Sequence, residues 1–376
     1  NSDGNETNGT FVSWCWNAGG TDSATYTVKV VSDSGNKYRF NDFGTSAVTL
    51  DLAEGGTYTF DQSDSSMSSH PMQLSTTANG THGGGSAYST GVTYELDGST
   101  VTASAFISGF SSASSRKLII TVAASAPTLY YYCYYHSGMG GAVNTNSTLG
   151  SSNFDGTIQS TVKANTTAGF SIVTWTGNGS SGATIGHGLG VTPNFAFAKS
   201  RNSATNWPAV NFDLQTGGQL NTSQVFSNGN YTAYYAAQPS STVLTLGSNG
   251  ATNGNTNTYV AYVFSEVEGY SKFGSYTGNG DNFGAFIYTG FKVQFLLIKR
   301  TTTESWILAD TKRNSLTGRE SPADAYLLAN TNALESTGIE YDMLSNGFKF
   351  RTTSQNENGA TYIYLAFAES PFKNSR

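Results

Sequence analysis

An all-β, multi-domain chain is what this sequence predicts, on three observations. Gly, Ser, Thr and Asn dominate a chain of 376 residues that still carries 22 Tyr and 22 Phe. That mixture suits aromatic strands joined by Gly/Asn turns and is too aromatic for a disordered polymer. Short stretches alternate apolar and polar side chains, as in Gly55-Gly56-Thr57-Tyr58-Thr59-Phe60, which puts one face on a core. One strand-like phrase recurs three times. The length allows two or three domains, each with its own core.

The recurring phrase reads Thr10-Phe11-Val12-Ser13-Trp14-Cys15-Trp16, then Thr258-Tyr259-Val260-Ala261-Tyr262-Val263-Phe264, then Thr361-Tyr362-Ile363-Tyr364-Leu365-Ala366-Phe367. An Asn/Gly-rich turn precedes each copy. Matching blocks open at Gly169-Phe170-Ser171 and Gly269-Tyr270-Ser271. From there Trp175-Thr176-Gly177-Asn178-Gly179 parallels Tyr276-Thr277-Gly278-Asn279-Gly280, Phe195-Ala196-Phe197-Ala198-Lys199 parallels Phe295-Leu296-Leu297-Ile298-Lys299, and Trp207 parallels Trp306. A period near one hundred residues exceeds any solenoid repeat and suits tandem β-sandwiches. The predicted organisation is therefore a closing strand of a truncated upstream repeat (1–20), a distinct domain (21–143), a Ser/Asn/Thr-rich linker with some local structure at Asn153-Phe154-Asp155-Gly156 (144–168), and two repeats (169–268 and 269–376). The alignment sets Cys15 opposite Val263 and Ala366, so a buried core position is expected for it. The two Cys could form one disulfide, but that placement leaves Cys133 without an obvious partner and favours a ligand role.

The chemistry-bearing stretch is Cys133-Tyr134-Tyr135-His136-Ser137-Gly138-Met139. A thiolate, an imidazole and a thioether within one loop are three of the ligands of a blue-copper centre, which needs a second His from elsewhere. His70, in Ser69-His70-Pro71-Met72, stands after a strand-like stretch. The alternative is a scaffold in which Met139 is ordinary filling and His70 a surface-loop residue. Among the remaining residues, His82 in Thr81-His82-Gly83-Gly84-Gly85 reads as solvated, and His187 in Gly186-His187-Gly188-Leu189-Gly190 as a turn residue. Glu266 and Glu268 alternate at a strand end with no partner to tune one as an acid, so a solvated edge is expected. Trp207 and Trp306 read as core anchors; exposed, they would be sugar-stacking candidates. The Asn-x-Ser/Thr triplets at Asn5, Asn8, Asn79, Asn146 and Asn165 are expected by chance in so Asn-rich a chain.

A net charge of −6 with no basic run argues against nucleic acid. No segment approaches the apolar length of a membrane span, and Asn1-Ser2-Asp3-Gly4-Asn5 is turn-like rather than a signal peptide. No Gly-rich stretch has the sequel that phosphate binding needs.

Two resemblances add to this reading. Residues 21–143 resemble a cupredoxin. The strand entry at 55–60, His70 one loop later, Leu118-Ile119-Ile120-Thr121-Val122 and Leu129-Tyr130-Tyr131-Tyr132 before the loop, and Met139-Gly140-Gly141-Ala142-Val143 after it carry the likeness. Tyr134 and Tyr135 stand where the family often has smaller residues or Pro. The likeness implies a Greek-key β-sandwich in which His70, Cys133, His136 and Met139 hold one copper ion. The two repeats, described as β-sandwich or jelly-roll-like, resemble tandem β-domains of tail fibres and other appendages of phages infecting marine bacteria. Residues 269–280, 295–300, 344–349 and Ala366-Phe367-Ala368-Glu369-Ser370-Pro371-Phe372 carry that likeness. It implies a non-enzymatic structural or adhesive virion protein, homo-oligomeric with a trimer favoured, assembled with other virion proteins and attaching to a host-surface glycan or protein. Weak binding per module would add up through multivalency. A secreted copper redox protein and a bacterial surface adhesin or filament subunit are the alternatives.

Overall fold

The alternating stretches fold as strands throughout. A computed structural model describes residues 11–20, 22–313, 325–338 and 341–369. Its first unit contains β1 (Ser23–Ser32), β2 (Asn36–Phe40), β3 (Leu50–Asp51), β4 (Thr57–Asp61), β5 (Met72–Ser75), β6 (Val92–Leu96), β7 (Ser99–Val101), the short helix α1 (Ala103–Gly109), β8 (Arg116–Thr121), β9 (Leu129–Cys133) and β10 (Gly141–Asn144). They form a six-stranded sheet, β2-β1-β4-β8-β6-β7, and a four-stranded sheet, β3-β10-β9-β5. Most neighbours are antiparallel, but β1 with β4 and β3 with β10 run parallel. Between the sheets lie Tyr26, Val28, Phe40, Tyr58, Phe60, Leu118 and Ile120 from one side and Leu50, Leu74, Leu129, Tyr131, Cys133 and Val143 from the other. Period-two burial along β2, β4 and β8 closes one side of this core, while β5 is buried at every position.

The second unit holds β11 (Ser151–Asn153), β12 (Ser160–Asn165), β13 (Phe170–Thr176), β14 (Thr184–Gly186), β15 (Phe195–Ser200), β16 (Pro208–Asn211), β17 (Thr216–Gln219), α2 (Asn228–Tyr234), β18 (Val243–Thr245), α3 (Gly250–Asn253) and β19 (Thr258–Phe264). The third holds β20 (Ser271–Thr277), β21 (Phe286–Tyr288), β22 (Phe295–Arg300), β23 (Trp306–Asp310), β24 (Tyr326–Leu328), β25 (Tyr341–Leu344), β26 (Gly347–Phe350) and β27 (Thr361–Phe367). Their main sheets have the same strand order: β13-β19-β15-β16-β17 in one and β20-β27-β22-β23-β24 in the other. Registers agree as well. Thr176 pairs with Thr258 and Thr277 with Thr361, while Phe195 pairs with Phe264 and Phe295 with Phe367. A small second sheet covers one face of each main sheet, β14-β18 in one unit and β21-β26-β25 in the other, so both are sandwiches with a core of their own.

The opposite faces of the two main sheets pack on each other. Phe170, Phe195 and Phe264 meet Phe273, Phe295 and Phe367 in one aromatic cluster. Trp306 is fully buried and its Nε1 donates to the carbonyl of Gln219 across this boundary at 2.9 Å.

Three expectations need correction. The segment 144–168 is not a linker: β11 and β12 lie within it and extend the second unit's sheet beyond β13, because Ser160–Asn165 pairs along its whole length with Phe170–Trp175. Phe154 also packs into the first unit's core, 5.7 Å from Tyr26 and 5.3 Å from Phe43. Residues 11–19 pair with no strand, and Cys15 is exposed rather than buried. A strand needs a backbone ladder with its neighbours, and this segment forms none; β12 reaches it only through side chains, the Asn165 amide donating to the Asn17 carbonyl and the Lys163 ammonium to the Gly20 carbonyl. Trp207 is half-buried, stacked on Tyr262 at 6.5 Å, and is not an internal anchor as Trp306 is. Thr10, the first five residues and Ser370-Pro371-Phe372 lie outside the described residues.

Candidate metal centre

The first unit brings His70, Cys133 and His136 to one point. Cys133 is the last residue of β9 and fully buried. It sits opposite Met72, the first residue of β5, so the two residues before Met72 approach the thiol. His70 is delivered by a 3₁₀ turn, Ser65–Met67, whose start is capped by Asp64 accepting from the Ser66 N–H. Met67 buries its side chain beneath the turn, and the His70 N–H donates to the Met67 carbonyl at 2.8 Å. The Tyr38 hydroxyl donates to the His70 carbonyl at 2.9 Å. A buried Gln62 then completes the strand edge: its Oε1 accepts from the Met72 N–H and its Nε2 donates to the Met72 carbonyl.

After Cys133 the chain leaves the sheet, tied by the Tyr134 N–H donating to the Pro71 carbonyl. The loop turns at Gly138, whose φ is +74° and whose N–H donates to Asn79 Oδ1. The Lys37 ammonium donates to the Gly138 carbonyl. Met139 is buried in the same core as Cys133, and its carbonyl accepts from the Tyr38 N–H. Tyr38 therefore holds both flanks of the site.

Cys133 Sγ lies 3.8 Å from His70 Nδ1 and 3.6 Å from His136 Nδ1. The two imidazole rings are 4.5 Å apart by their centroids, and the three ligand atoms fall within 4.8 Å of one another. An ion bonded at about 2.3 Å to sulfur and about 2.0–2.1 Å to nitrogen, with angles near 120°, places sulfur and nitrogen roughly 3.7 Å apart. The donor set therefore fits one ion. Burial, and secondarily the neighbouring His136, pushes the His70 pKa below the ordinary histidine range, which favours the neutral ring that a metal needs. Thiolate, two imidazoles and a thioether next in the loop are soft ligands that select copper over calcium or magnesium.

One neighbour was not anticipated. His82 is exposed, as expected, yet its Nε2 lies 3.1 Å from the Cys133 carbonyl, so it braces the ligand's backbone. Its distance from Cys133 in sequence and its glycine-rich flanks hide that contact. His187 is buried in the turn it was expected to serve: its Nδ1 accepts from the Leu189 N–H and its Nε2 faces the Ser240 carbonyl. Glu266 is exposed but accepts from the Phe273 N–H and pairs with Lys272.

These features define an all-β protein of stacked sandwiches, the first holding a cysteine–histidine cluster. The chain belongs to the family described as a domain of unknown function, DUF7483, whose model matches residues 143–371. The matched span starts at β10 and takes in β11 and β12, and it leaves His70, Cys133, His136 and Met139 outside. No curated protein and no solved structure matches the chain. Among the described residues, no helix is long and apolar enough to cross a membrane.

Proposed function

We propose that the chain is a structural and adhesive appendage protein of a virion, not an enzyme, and that its first sandwich is a cupredoxin-like module binding one copper ion. The single observation that carries copper binding is the convergence of both imidazole Nδ1 atoms on the buried Cys133 sulfur at 3.6 and 3.8 Å. His70, Cys133 and His136 would hold the ion, with Met139 as the weak fourth ligand. Copper bound there would supply one-electron exchange between its two common oxidation states. This chain's own residues do the positioning: Tyr38, Gln62 and Asn79 fix the two ligand-bearing segments, and the packed core keeps water from Cys133.

The adhesive role is supported by two successive sandwiches whose main sheets share the same order over five strands. Such modules present repeated surfaces, and several weak contacts made together give firm attachment to a host-surface glycan or protein. Homo-oligomerisation, with a trimer favoured, follows the same appendage resemblance.

A second reading, a secreted copper redox protein, is favoured by a different observation. Tyr134 and Tyr135 are 40% and 52% exposed beside the exposed His136, which offers an aromatic docking face at the ligand edge. Two measurements separate these readings. Copper titration should develop an intense visible thiolate charge-transfer band that Cys133→Ser removes; a band that survives this change refutes the site. Mass spectrometry of purified particles should find the protein at many copies per virion. Its absence there, together with reversible reduction of the band by a partner protein, would favour the redox role.

A further inference from the structure

Residues 11–18 lie over the open side of the aromatic cluster between the two repeats. The two walls there are the outward faces of the main sheets, and with the covering segment they line a half-open cavity of about 430 Å³. From Ser13 onward the side chains of this segment alternate. Trp14, Trp16 and Ala18 pack against the cluster, whereas Phe11, Ser13, Cys15 and Asn17 are exposed.

That alternation matches the closing strands of the two repeats position by position. Trp14 corresponds in the recurring phrase to Tyr262 and Leu365, and Trp16 to Phe264 and Phe367; all six line the same cavity. The rings of Trp16, Phe264 and Phe367 form a near-equilateral triangle, with centroids 6.0, 5.4 and 5.7 Å apart. The other face of the phrase behaves differently. Tyr259 and Val263, like Tyr362 and Ala366, are buried in the cores of their own sandwiches. Phe11, their counterpart, is 50% exposed, and Cys15 is exposed too. The face bearing Trp14 and Trp16 is thus seated as a closing strand would be, with Val12 at its open end 38% exposed, while the face that should cover a sandwich core meets solvent.

We propose that the groove between the repeats is the seat of a third sheet of the same kind, in which residues 11–16 are the closing strand. The partner is a further β-module of this repeat family, joined to residue 11 in one polypeptide. Its outward aromatic face completes a three-sided packing around Trp16, Phe264 and Phe367, and its inner core covers Phe11 and Cys15. The choice of partner rests on continuity with the existing boundary, because the seat is built from the same outward faces that join the two repeats. Buried aromatic area of this kind dominates such interfaces.

The test compares the 376-residue chain with the polypeptide as its gene encodes it, in two peptide-resolved measurements. Native alkylation reads Cys15, and brief hydroxyl-radical oxidation reads Trp207 on the groove wall. In the 376-residue chain both should react readily. In the encoded polypeptide, Cys15 should react about a hundredfold more slowly, limited by local opening, and Trp207 should be protected in parallel. Equal Cys15 rates in the two proteins would overturn the strand assignment. A protected Cys15 with Trp207 oxidised as fast as before would overturn the seat.

Discussion

Met72 and Cys133 face each other across the antiparallel pair of β5 and β9, and this register brings the His70 ring to the thiol. The pair is held on its outer side by Gln62, a fully buried amide that accepts from and donates to the Met72 backbone. Gln62→Leu keeps the volume and removes both bonds, stranding a buried N–H and carbonyl. The expected loss is about 2–4 kcal/mol, since each stranded group costs about 1–3 kcal/mol. Denaturant unfolding reads that loss, and copper titration of the folded variant should show weaker binding because the His70 segment has lost its tie.

Two glycines of the ligand loop should behave differently. A Cβ on Gly140 would fall on the Tyr131 carbonyl oxygen, a backbone atom that cannot move without disturbing the β9–β10 pairing. Gly140→Ala should therefore cost about 3 kcal/mol, at the upper end for overpacking, and should weaken the charge-transfer band although every ligand remains. Gly138 has open space around its Cα and a φ of +74°. Gly138→Ala should cost only about 1–2 kcal/mol of left-handed strain and keep the band. Equal losses in the two variants would contradict the close approach at Gly140.

Local patterning made much of this legible. Alternation marks β4, the recurring phrase marks β19 and β27, the cupredoxin resemblance marks β8 and β9, and the Cys–His–Met spacing marks a ligand loop before any fold is known. His70 joins that loop through the Met72–Cys133 register, which the sequence only hints at by order. Residues 151–165 read as a linker with only local structure because Ser, Asn and Thr outnumber apolar residues there. They form strands because the free edge of β13 offers unpaired backbone groups that composition does not report. Cys15 failed for the converse reason: burial belongs to a strand and its sandwich together, and residues 11–16 have only one of their two faces covered.

His187 makes the second unit sensitive to acid. Its Nδ1 accepts from Leu189, its proton sits on Nε2 facing Ser240, and burial pushes its pKa below the ordinary value. The unfolded chain takes up a proton on this ring near pH 6.5, while the folded chain resists it. The unfolded state then binds more protons, so the contribution is fully present above about pH 6.5 and is lost as pH falls towards the folded pKa. Urea midpoints measured from pH 7.5 down to pH 5 should fall more steeply for the native chain than for His187→Gln. Parallel curves would show that His187 does not titrate in this way.

Asn253 and Asn356 are an equivalent pair of clamps hidden in turns that composition marks only as Asn/Gly-rich. Both are fully buried. Asn253 Oδ1 accepts from the Asn178 N–H, and its Nδ2 donates to the Ser180 and Gly247 carbonyls. Asn356 Oδ1 accepts from the Asn279 N–H, and its Nδ2 donates to Asn279 Oδ1 and the Asp281 carbonyl. Each fixes the Thr-Gly-Asn-Gly loop of its own sandwich. Asn253→Ala and Asn356→Ala should each cost about 2–4 kcal/mol, because several buried groups lose their partner at once. Calorimetry should show similar drops for the two, and a near-neutral result at either site would break the equivalence.

The boundary between the repeats turns on Trp306. Its ring is fully buried, edge-on to Phe226 at 5.4 Å and Phe197 at 6.4 Å, and its Nε1 donates to the Gln219 carbonyl. Backbone bonds cross beside it, from the Phe226 N–H to the Thr301 carbonyl and from the Glu304 N–H to the Ser223 carbonyl. Trp306→Phe removes the indole bond while keeping an aromatic ring, and should cost about 1–2 kcal/mol. Trp306→Ala removes the ring from a seam with little means of collapse and should cost about 3–5 kcal/mol. Because the lost contacts join two sandwiches that each retain a separate core, the larger change should uncouple them. Calorimetry should find the two repeats unfolding in one transition in the native chain and in two after Trp306→Ala. A single transition that merely shifts downward would place the coupling in the phenylalanine cluster instead.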